Sequence, residues 1–249
     1  MKAPTSGDKE RLDTALVARG LAESRQKARA VILAGAVMVD GARVDKAGTL
    51  IGRNAEISVT TSPCPYVGRG GMKLAGALAE FGADVRGLVM LDVGASTGGF
   101  TDCLLSAGAR LVYALDVGYG QLDWRLRTDE RVVVMERTNI RNARPGDFPR
   151  EIDGAVIDVS FISLALVLPV VYGIVREGGI VIALIKPQFE VGKSDVGKGG
   201  VVRDPEKHRE VVARIAAIAR DIGFAVAGTA QSPLTGPKGN KEFFIYLKR

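Results

Sequence analysis

The sequence predicts an α/β fold, a mostly parallel sheet with helices on both faces, preceded by a small α+β unit. Three observations carry this. From residue 72 to 249, short apolar runs alternate with helix-compatible stretches. Those runs are apolar throughout rather than at alternate positions, as strands buried on both faces are. The first of them, Leu88–Val93, passes straight into the glycine-rich turn Gly94-Ala95-Ser96-Thr97-Gly98-Gly99 and then into a helical segment, Phe100–Ala107. In an open α/β sheet that junction lies where ligands bind, at the carboxyl end of a strand. A chain of 249 residues, 47% hydrophobic and 25% charged, has enough apolar material for one large domain and a small appendage.

Residues 1–60 form the expected small unit. Leu12, Ala15 and Leu16 have helical spacing, and Gly20 ends that helix. Ser24 caps a second helix carrying Ala28, Val31 and Ile32, which Gly35 stops. Ala36–Val39 and Arg43-Val44 flank Asp40-Gly41, a hairpin signal, and Ile57–Thr60 supplies another short strand. Residues 61–71, with Pro63, Pro65, Gly68, Gly70 and Gly71, read as a linker. The large domain, residues 72–249, opens with a helix over Lys73–Phe81. Strands are expected at Leu88–Val93, Leu111–Leu115, Val132–Met135, Ala155–Val159, Ile180–Ile185, Ala225–Ala230 and Phe243–Leu247, with helices between them at Leu164–Val175 and Glu206–Ile222.

Charge and rare residues narrow the function. A net charge of +6 favours a polyanionic partner, nucleic acid ahead of an anionic membrane surface. Two cysteines, Cys64 and Cys103, make neither a disulfide framework nor a four-ligand zinc set, and a reducing cytoplasm is the simplest compartment. A single histidine, His208, removes histidine triads and most histidine metal sites; between Lys207 and Arg209 it is expected on a solvated face. No metal cluster is evident. The polar start of the chain lacks a signal-peptide core, and Leu164–Val175 is too short to span a bilayer. Gly192–Gly199 nearly spells a phosphate-binding loop, but Gly199 stands where Ser or Thr would hold magnesium. A basic loop with Lys193, Lys198 and Arg203 as phosphate contacts is the better expectation. Trp124, beside Arg125, is open between stacking on a base and packing on the domain.

The turn lacks the second glycine of a dinucleotide fingerprint, since Ala95 and Ser96 stand there. Asp92-x-Gly94-x-x-x-Gly98-Gly99 resembles instead the first motif of S-adenosylmethionine-dependent methyltransferases. That resemblance implies S-adenosylmethionine as cofactor, held around Asp92, Gly94, Ala95, Ser96, Thr97, Gly98, Gly99 and Phe100. Asp116 closes the next strand about 20 residues beyond Gly94, the spacing at which an acid accepts hydrogen bonds from an adenosine ribose. In the small unit, the order Arg11-Leu12-Asp13, Leu16, Gly20-Leu21-Ala22, Ser24-Arg25, Ala28, Ile32, Gly35, Val37, Val39, Gly41, Val44 is similar to the S4 RNA-binding domain. Arg25 and Arg29 share a helix face one turn apart. Arg11, Arg19, Lys27, Arg43 and Lys46 add charge, and with Arg69 they form the expected RNA-binding set.

Asp158 and Lys186 each close an apolar strand, so two strands deliver charges to one sheet edge. Lys73 follows Arg69-Gly70-Gly71-Met72, and Glu242 opens the last strand. The order Lys73, Asp158, Lys186, Glu242 resembles the catalytic tetrad of FtsJ-like ribose 2′-O-methyltransferases. With the S4-like unit in front, the chain resembles the TlyA family over nearly its full length, and the stretch Gly197-Lys198-Gly199-Gly200-Val201-Val202-Arg203-Asp204 is similar to a loop of that family. Arg-Gly-Gly-Met-Lys departs from the commoner Arg-Gly-Ala-x-Lys around Lys73. The resemblance implies methyl transfer to a ribose in ribosomal RNA, with 2′-O-methylcytidine as product and ribosomal subunits as partners. Lys186 is expected to orient the 2′-hydroxyl and stabilise its oxyanion, or to act as base; Asp158 to contact Lys186 and the donor; Glu242 to hold the lysine pair. A non-enzymatic ribosome-assembly factor and a nicotinamide oxidoreductase remain as alternatives. So does a membrane-acting protein, because members of the family are often labelled haemolysins.

Overall fold

The computed structural model describes residues 9–33, 35–59, 64–192, 195–197 and 199–249. Lys193 and Lys198, two of the expected phosphate contacts, lie outside the described residues. The chain divides into two compact units, Met1–Arg69 and Gly70–Arg249.

In the first unit β1 (Lys9–Arg11) leads into α1 (Leu12–Ala18) and α2 (Arg25–Leu33). Short strands follow: β2 (Val37–Val39), β3 (Ala42–Arg43), β4 (Leu50–Gly52) and β5 (Ile57–Val59). Asp40 and Gly41 both have positive φ, 48° and 75°, as the hairpin between β2 and β3 requires. The strands form an antiparallel sheet of order β3-β2-β5 and a separate β1–β4 pair. Strands β1 and β4 were not expected; Lys9-Glu10-Arg11 is wholly charged, and no hairpin dipeptide flanks Leu50-Ile51-Gly52. Leu12, Leu16, Ala28, Ile32, Val37 and Ile51 pack into one core, the apolar faces of both helices against the sheet.

The second unit opens on α3 (Arg69–Phe81), so Gly70 and Gly71, read above as linker, lie in a helix. Then come β6 (Val89–Val93), α4 (Gly99–Ser106), β7 (Leu111–Leu115), α5 (Trp124–Arg127), β8 (Val132–Met135), β9 (Ile152–Ile157), α6 (Leu164–Ile174), β10 (Val175–Ile185), α7 (Pro187–Glu190), α8 (Pro205–Ile222), β11 (Ala225–Gln231) and β12 (Phe243–Lys248). Every expected strand is present, with β9 and β10 starting earlier than their apolar runs suggest.

The seven-stranded sheet has the order β11-β12-β10-β9-β6-β7-β8. Strands β8, β7, β6, β9 and β10 are parallel; β12 runs antiparallel between β10 and β11. All five residues of β6 are buried, the outcome its unbroken apolar run predicts. The strand order reverses at β6, which lies between β7 and β9, and that is where a crevice opens beyond the carboxyl ends. Because β12 is antiparallel, its first residues stand beside the end of β10, with Phe243 opposite Ile185. That register brings Glu242 to the edge where Asp158 and Lys186 leave their strands.

Helix ends follow their side chains. Ser163 caps α6 by accepting from the Ala165 N–H; Asp204 caps α8 by accepting from that of Glu206, and Gly223 ends it in the left-handed region. His208 is not on a solvated face. It is 5% exposed, its Nε2 lies 2.9 Å from the Val202 carbonyl, and its ring meets Phe243. The stripe His208, Val211, Ile215, Ala219 is the inward face of α8.

Candidate active site

The turn after β6 is held by its own backbone. Gly94 and Ala95 both donate to the Leu115 carbonyl, at 2.8 and 3.1 Å. Gly94 has φ +86°, and a Cβ there would stand 2.6 Å from the Asp158 carbonyl oxygen, so only glycine lets the turn pass the end of β9. Gly98, φ +96°, has a different task from the one expected. A Cβ on it would meet Leu126 at 2.2 Å, so its bareness admits a protein side chain rather than a ligand.

Beyond the turn lies a cavity of about 730 Å³, large enough for a nucleoside-sized ligand. Of the residues assigned to the donor, Gly94, Ser96, Asp116 and Asp158 line it. Asp92, Ala95, Gly98, Gly99 and Phe100 are buried away from it, and Thr97 is also off its wall. Phe100 instead packs towards Phe244, ring centroids 6.3 Å apart. Asp116 Oδ2 accepts from the Ser96 N–H at 2.8 Å and Oδ1 from that of Gly118 at 2.6 Å, which ties the ends of β6 and β7 together at the rim. Val117, Asn139, Ile140 and Phe161 are among the further residues of the wall and were missed in the sequence. The signal for Asn139 and Ile140 was their place just past the end of β8, at the same sheet edge. The residues fit an adenosyl donor: a carboxylate poised for ribose hydroxyls, with apolar side chains beside it.

Asp92 does not reach this cavity. It has no exposed surface, and its Oδ2 accepts from Thr101 Oγ1 at 2.7 Å, fastening β6 to α4. Among the described residues its Oδ1 has no hydrogen-bond partner. Burial, aided by the nearby Asp158 charge and opposed by the Thr101 bond, pushes the carboxyl up to about 7.

The four tetrad candidates form two pairs. Lys186 Nζ stands 2.6 Å from Asp158 Oδ1 and donates to Ser160 Oγ at 3.0 Å. Lys73, on the buried face of α3, reaches across to β12 and bonds Glu242 Oε2 at 2.6 Å, with side-chain exposures of only 9% and 0%. The expectation that Glu242 holds both lysines is therefore corrected: it holds Lys73, and Asp158 holds Lys186. A Cβ on Gly236 would sit 2.0 Å from Glu242 Oε1, so this carboxylate is pressed against bare backbone. Phe161, next to Ser160, is 89% exposed and has φ +63°, a strained setting for a bulky residue. Its ring meets Phe189, centroids 4.9 Å apart.

In the first unit the expected basic residues differ in availability. Arg11, Arg25 and Arg29 converge on the Asp13 carboxylate. Arg19 is a strap: it donates to the Ala55 carbonyl at 2.6 Å, and to Glu10 and the Arg53 carbonyl at 2.8 Å each. Lys27 pairs with Glu23 on the surface. Arg43, Lys46 and, in the second unit, Arg203 are exposed, and Arg69 begins α3. Trp124 is 71% exposed, so it does not pack into its domain.

Comparison with known proteins agrees with this geometry. The FtsJ-like methyltransferase family matches residues 66–249, and the S4 domain matches residues 10–57. The chain is 52% identical over 240 residues to YqxC of Bacillus subtilis, provisionally named an rRNA methyltransferase, covering 96% of this chain and 85% of that one. It is 48% identical over 239 residues to the 16S/23S rRNA (cytidine-2′-O)-methyltransferase TlyA of Mycobacterium tuberculosis, covering 96% and 89%. A solved structure from Streptococcus thermophilus, provisionally described as a hemolysin, superposes with a TM-score of 0.77 at 46% identity, covering 97% of this chain and 89% of that one. Among the described residues no helix is long and apolar enough to cross a membrane. The chain belongs to the FtsJ-like methyltransferases and carries an S4 domain ahead of its catalytic unit.

Proposed function

We propose that this protein is a ribose 2′-O-methyltransferase that uses S-adenosylmethionine and modifies a cytidine of ribosomal RNA, working on ribosomal subunits in the cytoplasm. The observation that carries the reading is the presence of two lysine–carboxylate pairs, Lys186–Asp158 and Lys73–Glu242, at one edge of the sheet, with Asp158 of the first pair on the wall of the donor cavity. The names of the relatives supply the choice of cytidine and of ribosomal RNA.

Bound S-adenosylmethionine supplies a methyl group that a ribose oxygen displaces in line from a positively charged sulfur. Gly94, Ser96 and Asp116 would hold the donor, with Val117 and Ile140 flanking its base. Lys186 has its direction fixed by Asp158 and Ser160, so an ammonium N–H would donate to the 2′-oxygen and stabilise the negative charge that develops there as the hydroxyl proton passes to water and the oxygen takes the methyl group. Lys73 and Glu242 form the buried pair against which the site is built. The exposed Phe161 ring offers a stacking surface for a base lifted out of its helix. The S4 unit supports anchorage through phosphate contacts, which position without reading sequence.

The test is to incubate purified small and large subunits with labelled S-adenosylmethionine, digest the RNA and identify the labelled nucleoside. Label in 2′-O-methylcytidine is expected. Label on a base, or no label on either subunit, would overturn the assignment.

A further inference from the structure

Among the described residues of the first unit, Asp13 is the one buried charged side chain. It lies in the first turn of α1 with no exposed surface, yet three guanidiniums reach it. Arg11 binds it with two bonds, Nε to Oδ1 at 2.9 Å and Nη2 to Oδ2 at 3.0 Å. Arg25 Nη2 donates to Oδ2 at 3.1 Å, and Arg29 Nε stands 3.5 Å from the same oxygen. The donors come from β1 and from successive turns of α2, so one carboxylate gathers arginines from two elements.

The three arginine side chains are 45%, 58% and 57% exposed. Each guanidinium has five N–H donors, of which Arg11 spends two on Asp13 and Arg25 one, while Arg29 stands at ion-pair distance. The other donors are carried on half-exposed side chains around a centre that keeps two net positive charges. Without the carboxylate, three like charges on flexible stems would repel and spread. Arg11's bonds, against the opposing effect of burial, hold the Asp13 carboxyl well below the usual range, so it is ionised at neutral pH.

We propose that Asp13 is a positioning residue for RNA: without touching the RNA, it fixes Arg11, Arg25 and Arg29 as one preformed site for the sugar–phosphate backbone. The proposal rests on the RNA-binding reading of the S4 unit. Its consequence has the opposite sign to simple charge counting. Asp13→Asn makes the protein more positive, which by charge alone tightens binding to a polyanion. Loss of the fixed array weakens it.

The experiment uses the full-length protein and purified ribosomal subunits, with affinity measured over a series of potassium chloride concentrations. Asp13→Asn is expected to bind about tenfold more weakly than wild type, the size of one lost guanidinium contact. Its affinity for S-adenosylmethionine and its circular dichroism spectrum are expected to be unchanged, which separates positioning from loss of fold. Arg25→Lys and Arg29→Lys keep the charge on exposed positions but lack the fork that grips carboxylate and phosphate together. They are expected to bind more weakly too, and they decide the matter if Asp13→Asn does not fold. Binding by Asp13→Asn as tight as wild type or tighter, or unchanged affinity in both lysine variants, would overturn the proposal. If the wild-type chain binds neither subunit, the RNA-binding reading itself falls and takes the proposal with it.

Discussion

Between about pH 4 and about pH 7, Asp92 holds a proton that its unfolded counterpart would release. Burial lifts its carboxyl to about 7, while an unfolded aspartate ionises near 4. Between those values unfolding releases the proton. The stability this group contributes is therefore full below about pH 4 and is lost as pH rises towards about 7, an effect on the order of a few kcal/mol. Asp92→Asn removes the titration. The wild type is thus expected to lose stability relative to Asp92→Asn between about pH 4 and about pH 7 in denaturant titrations, and a gap that does not change with pH would contradict the raised ionisation of Asp92. Gly94 makes a different prediction. Alanine there must hold φ +86° with its Cβ 2.6 Å from the Asp158 carbonyl, so Gly94→Ala should lower stability and displace the end of β9. A loss of about 2 kcal/mol or more is expected by thermal unfolding. At this scale the sequence suggests the four residues and the Asp158–Lys186 contact, but not that Glu242 serves Lys73 alone. Nothing in the chain order says that Glu242 pairs with Lys73, because the pairing depends on the antiparallel entry of β12.

The Lys73–Glu242 bond joins α3 to β12, elements far apart in the chain and both buried at the contact. Removing one partner leaves a charge without compensation in a dry place. Lys73→Met is expected to cost about 3–5 kcal/mol, and the double variant Lys73→Met/Glu242→Met to recover much of it. Equal losses in the single and double variants would show that the pair is not coupled. Other features of the elements were open to the sequence in proportion to their pattern. Continuous apolar runs marked the central strands of the large sheet, because strands buried on both faces need them. The edge strand β11 has no buried residue and was marked by its small apolar residues alone. The strands β1 and β4 were missed because Lys9-Glu10-Arg11 is wholly charged and Leu50-Ile51-Gly52 is flanked by no hairpin dipeptide, whereas Asp40-Gly41 marked the similarly short β2 and β3. His208 was placed outward because Lys207 and Arg209 surround it, although its spacing to Val211 and Ile215 marks the inward stripe of α8. Gly70 and Gly71 suggested a break, yet they occupy the first turn of a helix, where nearby Phe100 leaves little room for a side chain on Gly70.

At the scale of the molecule, two units divide the work. The first gathers arginines around one buried carboxylate, and the second sets a donor cavity and two lysine–carboxylate pairs at one edge of a sheet. The change in pattern between residues 60 and 72 suggests a division, and the glycine-rich turn and the charged strand ends made the class of chemistry legible. The cavity wall was only partly legible. Its Phe161 comes from a loop, and its Asn139 and Ile140 from the start of a single 3-10 turn, segments too short to carry a period and brought together only by the fold. The central claim is that Lys186, steered by Asp158 and Ser160, drives methyl transfer to a ribose oxygen. It is tested most directly by single-turnover transfer to ribosomal subunits with Lys186→Ala beside the wild type, and donor affinity measured for both by calorimetry. A loss of about a thousandfold or more in transfer, with S-adenosylmethionine still bound, is the expected result. Transfer by Lys186→Ala at the wild-type rate would contradict it.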